Sequence, residues 1–346
     1  MDNKAFLQKI WNLESINRPA LICEEPSKEC PAVNFDWDKD TILSCLLEDY
    51  NARIHGRCDD VASINCSLGT HIIPCILGGQ EKIFDDGRKY LEKPIIYNVG
   101  DIDKIKKGDI KIGLVGKQIE LIKFISDKTN GDIPIRAGDI QNPLGIAEMM
   151  WETSDFYASL YDAPEKVHQL LEIITETVIE YIDAMLDINK NIVPITWPLI
   201  WASHDKGVYL ADDTMSMVSP DMYEEFGVRY NNKISEVFGG IMLHSCTTNQ
   251  RYFEKIMMNK NLRSINFAAQ YSSDMEEIYK FFGGKIVILP HYCHTDSPQI
   301  GTVTEFLEKV FQCWKPEYPT IIYISKQPGS LLQQDVFDCY NEYFPQ

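Results

Sequence analysis

Ser219-Pro220-Asp221-Met222-Tyr223-Glu224-Glu225-Phe226 opens a helical run to Phe238, and Gly240-Ile241-Met242-Leu243-His244-Ser245-Cys246 follows it. Ser219 is an N-cap residue, and Pro220 stands at the first helical position, where its missing N–H costs nothing. The short apolar strand Gly240–His244 then ends in polar side chains. A helix handing over to such a strand, repeated along a chain, is the mark of βα units around a parallel sheet.

Working outward, the same alternation recurs. Further candidate strands are Asp60–Asn65, Ile133–Ala137, Ile192–Trp197, Arg263–Phe267, Lys285–Pro290 and Thr320–Ser325. Candidate helices are Pro143–Leu160, Pro164–Leu186, Asn249–Met258, Ser273–Phe282, Thr302–Trp314 and Leu331–Tyr343. In Pro164–Leu186 the residues Val167, Leu170, Leu171, Ile174, Val178, Tyr181, Ile182, Met185 and Leu186 fall at helical spacing. Units of this size fit an α/β fold, a (β/α)8 TIM barrel, better than a two-domain dinucleotide fold. The expectation is one domain over 1–346. Its first 57 residues form a helical lead-in that closes the barrel floor, with Thr41–His55 the clearest helix. Gly78-Gly79, Asp85-Asp86-Gly87 and Gly108 interrupt the pattern, so the second barrel strand is sought in Ile76–Lys111 or near Ile112–Leu114.

Lys+Arg 33 against Asp+Glu 51 gives a net charge of −18, a field that repels phosphate backbones and anionic lipid surfaces. Nucleic-acid and membrane partners are therefore not expected. Met1-Asp2-Asn3-Lys4-Ala5-Phe6 has no apolar signal-peptide core. Ten cysteines without a CxxC pair suit reduced thiols in a cytoplasm.

In a parallel barrel the chemistry sits at the carboxyl ends of the strands. Two ends are rich in soft ligands. One is His244-Ser245-Cys246, and imidazole nitrogen with thiolate sulfur is a preferred donor set for Zn²⁺. The other is His291-Tyr292-Cys293-His294, two strands away at the same mouth. His244 and Cys246 are read as metal ligands, with Cys293, then His291, as candidates for the third. Asp139 and Asp213 are read as catalytic carboxylates, and Asn65, Trp197, Asp212 and Tyr292 as substrate contacts at strand ends. Each has a plainer alternative: capping or surface roles for the aspartates, and packing for Trp197.

Taken in order, four stretches resemble the uroporphyrinogen decarboxylase superfamily. They are Asp139-Ile140-Gln141-Asn142-Pro143-Leu144, Leu160-Tyr161-Asp162-Ala163-Pro164-Glu165-Lys166-Val167, Asp212-Asp213 with Ser219-Pro220-Asp221-Met222-Tyr223-Glu224-Glu225-Phe226, and His244-Ser245-Cys246. The resemblance runs from about Arg18-Pro19 to the C-terminus and implies a (β/α)8 barrel with a helical lead-in. The true decarboxylases carry an arginine-rich N-terminal motif and an Asp ending the first strand. Here those stretches read Leu21-Ile22-Cys23-Glu24-Glu25-Pro26 and Ile64-Asn65-Cys66-Ser67-Leu68. Eight scattered arginines are also a poor match for a polycarboxylate substrate.

The chain is more similar to the cobalamin-dependent methyltransferase branch, of the methylcobalamin:coenzyme M type, which implies zinc on His244, Cys246 and a third ligand. That branch has a last Cys after the eighth strand, where this chain reads Ser325-Lys326-Gln327-Pro328-Gly329-Ser330. Cys293 or His291 would have to substitute. The implied function is transfer of a methyl group between a corrinoid (methylcobalamin), carried on a partner protein, and a small thiol or similar acceptor. Two alternatives are a decarboxylase of uroporphyrinogen or a related carboxylated ring, with Asp139 stabilising positive charge on the ring, and a non-catalytic corrinoid- or tetrapyrrole-binding subunit.

Overall fold

Nine parallel strands are present among the described residues: β1 Ala20–Cys23, β2 Ile64–Asn65, β3 Ile135–Arg136, β4 Ile192–Val193, β5 Val208–Ala211, β6 Ile241–Ser245, β7 Leu262–Ala268, β8 Val287–Tyr292 and β9 Ile321–Ile324. The structure is a computed structural model, and it describes residues 2–24, 38–54, 56–84, 89–195, 197–293, 301–325 and 331–345.

Six strands form one sheet in the order β1-β9-β8-β7-β6-β5, and β2-β3-β4 form another. Backbone hydrogen bonds join the two sheets at both edges: the Tyr209 N–H donates to Pro194 O at 3.0 Å and the Asp59 N–H to Leu21 O at 2.9 Å. The parallel strands with helices outside them are the barrel architecture that the alternation predicts.

Side chains alternate along each strand between the barrel interior and the helical layer. Ala20, Ile22, Tyr209, Ala211, Met242, Val287, Leu289, Ile321 and Tyr323 belong to an inner apolar cluster. Their neighbours Leu21, Cys23, Leu210, Leu243, Ile288, Ile322 and Ile324 belong to the outer one, against the helices. Carried to the strand ends, the alternation puts His244 and His291 inside and Tyr292 outside.

Four readings of the sequence need correction. The lead-in is not wholly helical: helices Asn3–Trp11 and Lys39–Arg53 flank β1, which pairs with β9 from Ala20↔Ile321 to Cys23↔Ile324. The first of these helices buries Phe6, Leu7, Ile10 and Trp11 against the inner cluster. The second correction concerns the strand sought in 76–114. Glu81–Ile83 and Lys89–Leu91 form an antiparallel hairpin and Gly113–Lys128 a helix, so the partner of β2 is β3.

The third is a strand not foreseen. Val208–Ala211 is four residues long, too short to announce itself by periodicity. Its start is tied to β6 by Gly207 (φ 90°), where an added Cβ would stand 1.9 Å from Gly240 O. Finally, Pro143–Leu160 is two helices, Pro143–Met150 and Thr153–Asp162. They part at Trp151, which is extended, fully buried and bridged to Ile96. Among the described residues no helix is long and apolar enough to cross a membrane.

Candidate metal centre

β6 ends at the barrel mouth with His244 directed inward, and the chain turns so that Cys246 comes round beside it. His244 Nε2 and Cys246 Sγ are 3.3 Å apart. Asp213 arrives from the 3-10 turn after β5, with Oδ1 3.6 Å from His244 Nε2. The Cys246 N–H donates to Asp213 Oδ1 at 2.8 Å, which fixes the carboxylate against the turn. One donor atom from each of Asp213, His244 and Cys246 lies within 4.8 Å of the other two.

The other side of the His244 ring is held as well. The Asn266 Nδ2–H donates to Leu289 O at 2.8 Å, which leaves Asn266 Oδ1 to accept from His244 Nδ1–H at 2.6 Å. That assignment puts the imidazole proton on Nδ1 and leaves the Nε2 lone pair facing Cys246 and Asp213, the arrangement metal-ligating histidines use. Burial lowers the His244 pKa from its ordinary value and so favours the neutral ring, opposed in part by Asp213 and the Asn266 hydrogen bond. Nitrogen, sulfur and carboxylate oxygen from three residues is a donor set that suits Zn²⁺.

The structure changes the expected third ligand. Among the described residues the donor group contains Asp213, not Cys293 or His291. Cys293 follows β8 and is half-buried. His291 is inside the barrel and buried, and among the described residues neither of its ring nitrogens has a hydrogen-bond partner. Burial, then the proximity of His244, pushes its pKa down to about 3. His294 and the stretch 326–330 lie outside the described residues.

Trp197 stands between the two histidines, its ring edge-to-face with His244 at 5.0 Å and with His291 at 4.9 Å. Asp139, after β3, is charge-coupled to Asp213, and burial first, then that neighbour, raises its pKa to about 6. Asp212 turns away from the mouth. It is buried, its Oδ2 accepts from Tyr223 OH at 2.8 Å and Asn231 Nδ2 at 3.1 Å, and burial pushes its pKa up to about 7. Reading Asp212 as a substrate contact is therefore corrected. Tyr292 is corrected too, because it packs on Phe306 and donates to Gly301 O at 3.1 Å in the helical layer. Asn65 accepts from the Ser67 N–H at 3.0 Å, a turn role at the end of β2.

Residues 60–289 match the sequence profile of the uroporphyrinogen decarboxylase (URO-D) family, which is more than half of the chain. The chain belongs to the URO-D family. Among curated proteins this URO-D chain is similar to methylcobamide:CoM methyltransferase MtbA of Methanosarcina acetivorans, at 26% identity over 163 residues, 45% of this chain and 44% of that protein. It is also similar to methylcobamide:CoM methyltransferase MtaA of Methanosarcina barkeri, at 26% over 129 residues, 37% of this chain and 34% of that protein. Each match spans less than half the length of the relative. A solved methyltransferase from Methanosarcina mazei superposes over 99% of both chains with TM-score 0.71 at 13% identity, which supports the barrel fold.

Two residues of this URO-D centre are given no role by the sequence, although Asn266 stands out there as a polar strand end. Asn266 sits in the apolar run Arg263–Phe267, and a lone amide in a buried strand was the available signal. Tyr209 faces the interior from the unforeseen β5. Its buried hydroxyl has no hydrogen-bond partner among the described residues, and burial first, then the carboxylates of Asp139 and Asp213, raise its pKa well above the ordinary value.

Proposed function

We propose that this chain is a zinc-dependent methyltransferase that moves a methyl group between a corrinoid, held on a partner protein, and a thiol or similar small acceptor. The observation that carries the reading is the Asp213, His244 and Cys246 donor group, oriented by Asn266. Family membership and the names of the methylcobamide:CoM methyltransferase relatives support it. We read residues 1–346 as one domain acting in a reducing cytoplasm.

Zn²⁺ held by Asp213, His244 and Cys246 would lower the pKa of an acceptor thiol and keep it as a thiolate nucleophile at neutral pH. The protein supplies the rest. Asn266 holds the proton on His244 Nδ1, so that Nε2 remains a donor atom. Asp139, with a pKa near 6, is poised to take the proton that the acceptor gives up. Trp197 walls the space beside His244 and limits water there. The acidic pair Asp139 and Asp213 also disfavours a polycarboxylate ring, the substrate of the decarboxylase alternative.

Elemental analysis of purified protein, paired with methyl transfer from methylcobalamin to a panel of thiols, tests the proposal. The expected result is one zinc per chain, lost in His244→Ala together with activity. Absence of stoichiometric zinc with activity intact in His244→Ala would overturn it.

A further inference from the structure

Behind the metal centre lies a second polar layer that no part of the proposed reaction uses. Asn142, Asp212, Tyr223, Asn231 and Asn259 are each at least 97% buried. Their side chains form one connected network. Asp212 Oδ2 accepts from Tyr223 OH at 2.8 Å and from Asn231 Nδ2 at 3.1 Å. Asn142 Nδ2 donates to Asn231 Oδ1 at 3.3 Å, and Asn259 Nδ2 to Tyr223 OH at 3.4 Å. Buried polar groups on this scale are costly unless they are paired; these four hydrogen bonds hold the members in one arrangement, while Asp212 Oδ1 and Asn259 Oδ1 have no partner among the described residues.

The network meets the metal centre through consecutive residues. The Asp212 N–H donates to His244 O at 2.6 Å, and the Asn142 N–H donates to Ala211 O at 2.6 Å. Asp212 points into the helical layer while Asp213, the next residue, turns to the barrel mouth. With the Asp212 carboxyl anchored on one side and its amide on the His244 carbonyl on the other, little freedom is left for the Asp213 backbone. The π-helical turn Tyr223–Val228 supplies the anchor. Gly227 leaves room for it, since a Cβ there would stand 2.6 Å from the Tyr223 ring. Single π turns recur at functional sites because they re-aim one side chain without ending the helix.

We propose that Asp212 is a positioning residue: its anchorage on Tyr223 and Asn231 aims Asp213 at His244 and Cys246 and so sets the affinity of the metal centre. This rests on the metal reading given above. A supporting residue of this kind alters metal affinity about 10- to 100-fold when it is removed.

The test is titration of metal-free protein with Co²⁺, read by the thiolate-to-cobalt charge-transfer band and the d–d bands, which report sulfur ligation and coordination number without any turnover. Wild type is expected to bind one Co²⁺ with a thiolate band. Asp212→Asn, which keeps one acceptor oxygen, should bind about tenfold more weakly, and Asp212→Leu weaker still, with altered d–d bands. Tyr223→Phe removes only a hydroxyl, so it carries the test if the Asp212 variants fail to fold. Tyr279→Phe controls for a general loss of stability, because that buried hydroxyl meets Thr320 away from the centre. It should leave Co²⁺ affinity unchanged. Wild-type affinity and spectra in Asp212→Asn and Tyr223→Phe would overturn the positioning role alone. Absence of a thiolate band in wild type would overturn the metal reading and this inference with it.

Discussion

Asn266 Oδ1 lies 2.6 Å from His244 Nδ1, on the opposite side of the ring from Cys246 Sγ at 3.3 Å from Nε2. One amide thus fixes which imidazole nitrogen is free to bind. Asn266→Leu should therefore lower zinc affinity by about 10- to 100-fold while the β7 ladder persists. Competition with a chromophoric chelator measures it, and Asn266→Asp, which restores an acceptor, should recover part of the loss. Equal affinity in Asn266→Leu and wild type would remove the amide from the account.

Cys246→Ser and Asp213→Asn should each abolish stoichiometric zinc, whereas Cys293→Ser should retain it. The distinction follows from the donor group, which includes Asp213 and not Cys293. Zinc content of the three purified variants decides it. Loss of metal in Cys293→Ser would return that thiol to the ligand set.

His291 gives the fold a measurable pH dependence. Its pKa is about 3 in the folded protein and 6.5 in the unfolded chain, so above pH 6.5 the ring is neutral in both states and contributes nothing. Below pH 6.5 the unfolded chain binds a proton that the folded one refuses. Stability then falls by about 1.4 kcal/mol per pH unit until the folded pKa is reached. Between pH 7.5 and pH 5, His291→Asn should lose ~2 kcal/mol less than wild type in urea unfolding. Parallel losses in the two proteins would contradict the burial argument.

At the join between β1 and β2, Arg18 meets Asp59 in a two-pronged pair, at 2.6 Å and 2.7 Å, and Asp59 Oδ2 also accepts from the Leu21 N–H at 2.9 Å. Asp59→Ala should cost about 3 kcal/mol, because it strands a part-buried guanidinium and a backbone donor together. Glu120→Ala, which breaks an exposed pair with Lys39, should stay within about 0.5 kcal/mol. Denaturant midpoints of the two variants make the comparison, and similar costs would refute it.

The long strands were legible because each is a largely apolar run of five to seven residues. β6, β7 and β8 all fall within or beside the stretches read from sequence, as do His244 and Cys246. Of the short ones, β2, β3, β4 and β9 also lie within stretches read as strands, but two do not. Val208–Ala211 and Ala20–Cys23 have four residues each, and only their ladders to β6 and β9 make them strands. Asp213 was picked out as a carboxylate but not as a ligand, since its approach to Cys246 depends on the turn after β5. Asp212 and Tyr292 were misassigned for a related reason. Sequence marks a residue as near a strand end, but the facing of one position against the next is set by pairing register.

β1 and its neighbour β9 are separated by roughly 300 residues of chain. Until β9 is made, Ala20-Leu21-Ile22-Cys23 has no ladder to join and is an apolar strand waiting as an open edge. Ring closure is then a late, long-range event, and such events fold slowly. During synthesis β1 is thus made roughly 300 residues ahead of β9, the strand that shields it.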